Sequence, residues 1–288
     1  FGVTASVADD KTEVTKWTYN TKIPSYGATG WWDKSAYKEG MVLGDIWGLQ
    51  FDRFLTEDDF NADGSLKAGL PDQTKVFPAG YQFAPGDVLY KDLDNNGEIV
   101  KQTNTNDKGD LSVIGNALPR LQFGLNLDAA WKGFDISMFF QGVAKRKLWA
   151  AGNQVLPGFT TGEPFYKGAE DYWTPENTDA FYPRPMDYKQ SASGNYSVND
   201  RYLLNMAYLR LKTFTVGYSL PKVWLSKFKV QGLRVYFTGE NLFTIDGVKP
   251  AIDPEIGIRT ASGKSDQRNF GRSYPYQKTV SFGIQLSL

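Results

Sequence analysis

The sequence predicts an all-β chain that forms part of a transmembrane antiparallel β-barrel. Three observations carry this. Long segments alternate between apolar and polar residues. The connections between them are either very short or very long. Aromatic residues reach 15% of 288 residues, alongside 29 glycines. Successive strand side chains point to opposite faces, so alternation marks a sheet with one apolar and one polar face.

The elements follow in order. Phe1, Val3, Ala5 and Val7 alternate with Gly2, Thr4 and Ser6. The chain thus opens inside a strand, without an initiator Met, a basic start or the apolar core of a signal peptide. It is expected to be a piece of a longer protein. Val14–Tyr19 reads as a short returning strand and Gly44–Phe54 as another. In Leu121–Trp131 every odd position is apolar, and Ala130 alone breaks the polar even row. Lys132-Gly133 is a two-residue turn, with Gly supplying positive φ. The return strand, Phe134–Gln141, is apolar at even positions. Trp131 and Phe134 flank the turn, so they pair and put both apolar rows on one face.

The stretch Tyr208–Tyr218 changes phase: Leu209 and Leu211 point one way, Phe214, Val216 and Tyr218 the other. A bulge would do this. Pro221–Val230 suits a short helical turn. Leu233, Val235 and Phe237 form one more row, and Val280, Phe282, Ile284, Leu286 and Leu288 the last. The count is about eight strands. Up-and-down parity does not close before Leu121, which predicts one early strand missed or misplaced. The long connections are expected near 55–119, 147–205 and 244–277. Connections of that length are uncommon in compact domains and usually functional.

A soluble sandwich alternates too, burying its apolar face against a second sheet. Composition alone leaves barrel and sandwich evenly balanced. Strand length tilts toward the barrel, because the best strands run about 10 to 12 residues, enough to cross a bilayer at a tilt. Aromatics at strand ends (Trp131, Phe134, Tyr208, Tyr218, Tyr276) suit interfacial girdles. A soluble carbohydrate-binding sandwich stays the competing reading.

Other classes are excluded or disfavoured by composition. The chain has no cysteine and no histidine. Disulfides, thiolate zinc, iron–sulfur clusters, Ser-His-Asp catalysis and histidine-ligated metals are therefore ruled out. Lys+Arg and Asp+Glu balance at 32 each, so nothing points to nucleic acid. No apolar run of about 18 residues offers a transmembrane helix. Asp58-Asp59 and Glu170-Asp171 read as solvated loop charges, since glycoside hydrolysis needs carboxylates held across a cleft. The chain is not expected to be an enzyme.

Two constellations could bind something. Asp92, Asp94 and Asn96, followed by Gly97 and Glu98, match the first half of a calcium loop. Glu98 holds the seventh position, and Thr103 stands where the bidentate Glu belongs. Asp107 or Asp110 would have to reach back. A Ca or Mg ion in an outer loop is one reading; an Asx-rich turn without an ion is the other. The segment from Arg146 to Arg201 concentrates Trp149, Phe159, Phe165, Tyr166, Tyr172, Trp173, Phe181 and Tyr182, with Arg184. Trp149, Tyr172, Trp173 and Arg184 are the candidate contacts for substrate or partner, being types enriched at binding hot spots. Packing of these rings within the loop is the competing reading for most of them.

A family resemblance rests on ordered motifs. They are Pro85-Gly86-Asp87, Tyr90-Lys91-Asp92-Leu93-Asp94-Asn95-Asn96-Gly97 and Ile114-Gly115-Asn116-Ala117-Leu118-Pro119. Next come Trp131-Lys132-Gly133-Phe134-Asp135-Ile136-Ser137 and Phe139-Phe140-Gln141-Gly142. Asn177-Thr178-Asp179, Pro183-Arg184 and Tyr208-Leu209-Arg210-Leu211-Lys212 follow, then Gly217-Tyr218-Ser219-Leu220-Pro221. Gly239-Glu240-Asn241-Leu242-Phe243-Thr244 and Asp253-Pro254-Glu255 close the series. In this order and spacing the sequence resembles the SusC/RagA-like TonB-linked outer-membrane transporters of Bacteroidetes.

The resemblance implies a barrel of about 22 strands with an N-terminal plug. Residues 1–288 would be its C-terminal part, with long extracellular loops and short periplasmic turns. It further implies energy from TonB, a SusD-like lipoprotein over the outer mouth, and oligosaccharide or peptide cargo. A siderophore or metal receptor of related architecture is disfavoured by the motifs. Plug, TonB box and signal sequence are absent from this sequence, and Leu288 stands where the family usually ends in an aromatic. About eight strands cannot close such a barrel, so the remaining barrel and plug must come from elsewhere.

Overall fold

The computed structural model describes residues 1–18, 39–104, 107–150, 152, 154–158, 165–186, 194–228, 230–249, 252–255 and 274–287. Its first strand, β1, is Gly2–Ala8. A long excursion carries β2 (Asp45–Gly48), β3 (Phe51–Phe54), β4 (Val88–Tyr90), β5 (Lys101–Asn104), β6 (Asp107–Gly109) and β7 (Ser112–Asn116). The wall resumes with β8 (Arg120–Trp131) and β9 (Phe134–Lys145). A second excursion carries β10 (Lys147–Leu148) and β11 (Leu204–Asn205). Then come β12 (Tyr208–Ser219) and, after the short helix α1 (Lys222–Leu225), β13 (Gly232–Glu240). A third excursion, opening with β14 (Thr244–Asp246), leads to β15 (Thr279–Ser287).

Six strands form one antiparallel wall in the order β1-β8-β9-β12-β13-β15, and β14 pairs with the end of β12. Sequence order equals spatial order. The three long excursions therefore leave and re-enter one rim, while Lys132-Gly133 and the α1 connection lie at the other. Three wall strands have 12 residues, enough to span a bilayer.

The register makes the wall two-faced. Val3 opposes Leu127, Leu127 opposes Met138, Met138 opposes Phe214, Val216 opposes Phe237, and Phe237 opposes Phe282. That is a continuous apolar face. The other face carries Thr4, Asn126, Ser137, Thr215, Thr238 and Ser281, aligned by the same pairings. The expected bulge is present: the β9–β12 register shifts between Leu211 and Thr213. It lets Leu211 and Phe214 serve the same face.

Lys132 (φ 47°) and Gly133 (φ 91°) make the tight turn. At Gly142 the space for a Cβ is filled by the Phe123 ring and the Tyr208 carbonyl, so only glycine fits.

The apolar face is not covered by a second sheet among the described residues. Phe282 is 82% exposed and Ile284 72%, which no soluble sandwich core would show. The packed cores lie in the excursions instead. One gathers Leu148, Trp149, Leu156, Tyr182, Tyr196, Tyr202 and Met206. The other gathers Leu49, Phe54, Phe77, Val88, Tyr90, Ile99 and Trp173. The long connections thus fold as a layer with its own interior.

Several sequence expectations change. Among the described residues the wall has six strands, with β14 as a seventh paired to the end of β12, rather than about eight. Among the described residues, two of the early segments read as strands, Val14–Tyr19 and Gly44–Phe54, contribute none to the wall. Residues 14–17 form no strand, and Tyr19 lies outside the described residues. Gly44–Phe54 holds β2 and β3, which pair with β7 and β4 away from the wall. Alternation could not separate these, because short strands inside a folded loop alternate as wall strands do. Tyr208 does not join a girdle: it is buried, and its hydroxyl donates to Glu255. Trp131 and Phe134 are exposed at the turn rim, with Phe134 packed 4.5 Å from the Tyr218 ring.

Candidate functional site

The second excursion holds a hollow of about 380 Å³. Phe165, Tyr166, Tyr172, Tyr182 and Tyr196 supply rings, Pro157, Pro183 and Pro185 supply rigid apolar walls, and Lys167 and Glu170 supply charge. Tyr172 and Tyr182 are joined by a parallel bridge, which fixes the two rings along one wall. Tyr182 is anchored from behind, its hydroxyl donating to the Val155 carbonyl at 2.9 Å. Phe165, Tyr166 and Tyr172 are exposed. An aromatic hollow with a few polar groups is the usual form of a small-ligand site.

The four residues nominated from sequence fall in three places. Tyr172 lines the hollow. Trp149 and Trp173 are buried, one in each core, where they pack the loop layer. Arg184 is half-buried and forms a forked pair with Asp87, Nε to Oδ1 at 2.8 Å and Nη2 to Oδ2 at 3.2 Å. Phe159 lies outside the described residues.

Asp87 is fully buried and escaped the sequence reading as a site residue. It also accepts from the Tyr81 hydroxyl (2.8 Å), Asn195 Nδ2 (2.9 Å) and the Ala84 N–H (2.9 Å). Burial, and then the Asp87 carboxylate, push the Tyr81 hydroxyl well above the usual tyrosine range, so it stays a donor. Gly86 has no room for a side chain against Trp173 and Arg184. The Pro85-Gly86-Asp87 and Pro183-Arg184 motifs therefore meet as one clamp between the first and second excursions. A buried carboxylate so fully satisfied is structural machinery.

A second clamp ties the wall to the third excursion. Arg210 on β12 donates to Asp253 at 2.7 Å and to Glu255 at 2.7 Å, and its Nε reaches Thr244. Lys212 and Tyr208 also bind Glu255. This joins the Tyr208–Lys212 and Asp253–Glu255 motifs.

The acidic turn is well ordered. Asp92 accepts from the Gly97 N–H at 2.7 Å, Asp94 from Asn96, and Asn96 Oδ1 from the Glu98 N–H. Carboxylate oxygens of Asp92, Asp94 and Asp110 lie within 4.8 Å of one another. Asp110 is thus the residue that reaches back; the side chain of Asp107 lies outside the description. The buried Asp110 accepts from Leu93 and Val100 N–H groups. Burial raises its pKa, and Asp94 and Asp92 add to the rise. Glu98 turns away to pair with Lys75. A hard cation would find three carboxylates here, and the same turn is also satisfied by its own backbone.

No family model matches the chain. Individual proteins do. The chain is 29% identical over 258 residues to TonB-dependent receptor P3 of Formosa agariphila, covering 86% of this chain and 22% of that protein. It is 25% identical over 242 residues to TonB-dependent receptor SusC of Bacteroides thetaiotaomicron, covering 81% and 22%. The solved RagAB peptide transporter superposes with a TM-score of 0.61 at 20% identity, over 99% of this chain and 26% of that one. The chain is similar to TonB-dependent receptors, SusC among them. The chain spans about a fifth of the length of the curated relatives it matches. At that identity the RagAB likeness carries the fold: a stretch of two-faced wall with folded loops on one rim.

Proposed function

We propose that this chain is the C-terminal part of a TonB-dependent importer in the outer membrane of a Gram-negative, Bacteroidetes-like bacterium. It supplies six wall strands and a large share of the outer loop layer. The remaining barrel and plug belong to the same transporter, and TonB drives it through the N-terminal region. A SusD-like lipoprotein covers the outer mouth, and the cargo is an oligosaccharide or a peptide. The observation that carries this reading is the wall itself. Its apolar face is exposed and continuous, its opposite face is polar, and every long excursion leaves one rim. Lipid suits the first face, an aqueous lumen the second, and the cell exterior the third. The chain's likeness to TonB-dependent receptors and to the RagAB peptide importer supports import. A divalent cation on Asp92, Asp94 and Asp110 belongs to the same reading, as a brace for the outer layer.

The test is uptake by cells carrying the complete transporter, with and without TonB, alongside affinity purification of the tagged transporter. Uptake of labelled oligosaccharides or peptides should require TonB, and a surface lipoprotein should co-purify. Uptake indifferent to TonB overturns the import reading.

A further inference from the structure

The rim opposite the long excursions is built from two connections that touch. The Ser219 N–H, at the end of β12, donates to the Gly133 carbonyl at 2.8 Å. The Lys132-Gly133 turn therefore abuts the lead into α1. Aromatic residues of the apolar face end here. Trp131 and Phe134 are exposed, and the Phe134 ring lies 4.5 Å from that of Tyr218. The α1 connection continues this rim past the ends of the strands. Leu225 is buried, and α1 touches β13. The Trp224 N–H donates to the Pro221 carbonyl and Ser226 Oγ to the Val223 carbonyl, which holds the turn in shape. Val223 and Trp224 nonetheless stand out, 77% and 61% exposed. With Trp131 and Phe134 on the same rim, they form an apolar surface rather than scattered exposures.

The charge of this rim indicates what covers it. No Asp or Glu occurs from residue 217 to residue 239, a stretch that holds Lys222, Lys227, Lys229 and Arg234. The chain as a whole is neutral, so this excess of cations is local. Beside the neighbouring turn, Asp135 is committed to Arg234 in a forked pair. Lys132 lies 4.8 Å over the Trp131 ring, a cation set on an exposed indole. Lys222 and Lys227 are exposed. Neither they nor Lys132 form an ion pair among the described residues. Indoles and lysines interleaved on a membrane rim match the level where acyl chains give way to phosphates.

From this surface we propose that the rim binds acidic phospholipids of the periplasmic leaflet. Trp131, Val223 and Trp224 enter the boundary between headgroups and acyl chains. Lys132, Lys222 and Lys227 donate to the phosphodiester oxygens. A zwitterionic headgroup offers the same phosphate but cancels it with its own ammonium, so the acidic lipid is preferred. An acidic protein would match the lysines, yet it would not account for a patch that runs on from the lipid-facing wall. The inference rests on the wall crossing a membrane; it needs neither TonB nor any cargo.

The experiment places the complete transporter in nanodiscs of equal phosphatidylglycerol and phosphatidylcholine. Ser226→Cys, exposed in the α1 connection, carries an NBD label, and the unsubstituted transporter gives the background. One lipid at a time is brominated, so that quenching reports which lipid lies beside the label. Phe282→Cys, on the apolar face, is the control and should be quenched by both lipids alike. At Ser226→Cys the acidic lipid should be enriched about fivefold, the worth of one lysine at a charged surface. Lys222→Gln with Lys227→Gln should bring the ratio down to that of the control, and Arg at both positions should keep it. Trp224→Ala should weaken quenching by both lipids. Thermal midpoints in detergent confirm that each variant is folded. Inorganic phosphate in excess, at constant ionic strength, should leave the enrichment in place. Equal quenching by the two lipids at Ser226→Cys, or loss of the enrichment to free phosphate, overturns the proposal. So does a label at Ser226→Cys that neither lipid quenches while the Phe282→Cys control is quenched by both. The connection would then meet protein or water, and the membrane-crossing wall would still stand.

Discussion

Replacing Arg210 by Met should destabilise the transporter far more than replacing an exposed cation. Arg210 is 3% exposed, and its partner Asp253 is 8% exposed. Without the guanidinium, Asp253 keeps, among the described residues, the N–H groups of Glu255 and Tyr276. Glu255 fares better, retaining Lys212 at 2.9 Å and Tyr208 at 2.8 Å. Breaking a buried ion pair from one side costs about 3 to 5 kcal/mol. The retained contacts of Glu255 place this case at the lower end, about 3 kcal/mol. Lys11, half-exposed and paired with Glu13 at 3.4 Å, is the control; its loss should cost no more than about 1 kcal/mol. The assay is thermal unfolding of the detergent-solubilised complete transporter. Adding Asp253→Asn to Arg210→Met removes the orphaned charge and should recover part of the loss. A cost below about 1 kcal/mol for Arg210→Met, matching the control, would refute the view that this clamp secures the third excursion to the wall.

Three further outcomes are expected. Phe282→Lys puts a charge on the apolar face and should reduce assembly in the outer membrane, at about 2 to 4 kcal/mol near the midplane. Gln285→Lys, on the polar face, should assemble normally, and equal yields of the two would contradict the assigned faces. Calcium should raise the thermal midpoint of the transporter, and Asp94→Asn should abolish that rise; a midpoint insensitive to calcium leaves the turn without an ion. Arg53 hydrogen bonds hold the Asp59 carboxyl down at about 2, from an ordinary value of 3.8. A depressed carboxyl stabilises the fold fully above its ordinary value and loses that contribution as pH falls toward 2. Acid unfolding of Arg53→Gln should therefore lack the slope that the unaltered protein shows between these values, and identical titrations would remove the pair from the acid response.

Legibility in the sequence followed physics that is local. The Leu121–Gln141 hairpin could be read because alternation and a two-residue turn fix each other's register. The Tyr208–Tyr218 phase change could be read as a bulge for the same reason. The wall count could not, because β2 and β3 obey the same alternation while pairing inside a loop. Tyr172, which lines the hollow, was legible only by membership of an aromatic cluster, and nothing local separated it from the buried Trp173 beside it. Burial of Trp173 depends on Gly86, some eighty-seven positions away in sequence. Asp87 and Asn195 were missed because their partners come from other excursions. The ordered family motifs were the one signal that could have paired them, since Gly86-Asp87 meets Arg184 and Arg210 meets Asp253.

The central claim is that the wall crosses a membrane with its long excursions outside, and labelling tests it most directly. Residues 1–288 contain no cysteine, so a cysteine introduced here is the sole thiol of this part, and the unsubstituted transporter gives the background. Ala68→Cys is in the first excursion, and Lys227→Cys is in the short connection after α1; both positions are exposed. Intact cells carrying the complete transporter are treated with a membrane-impermeant maleimide. Ala68→Cys should label on intact cells, and Lys227→Cys only after the outer membrane is permeabilised. Labelling of both positions on intact cells would contradict a wall that spans the membrane in this orientation.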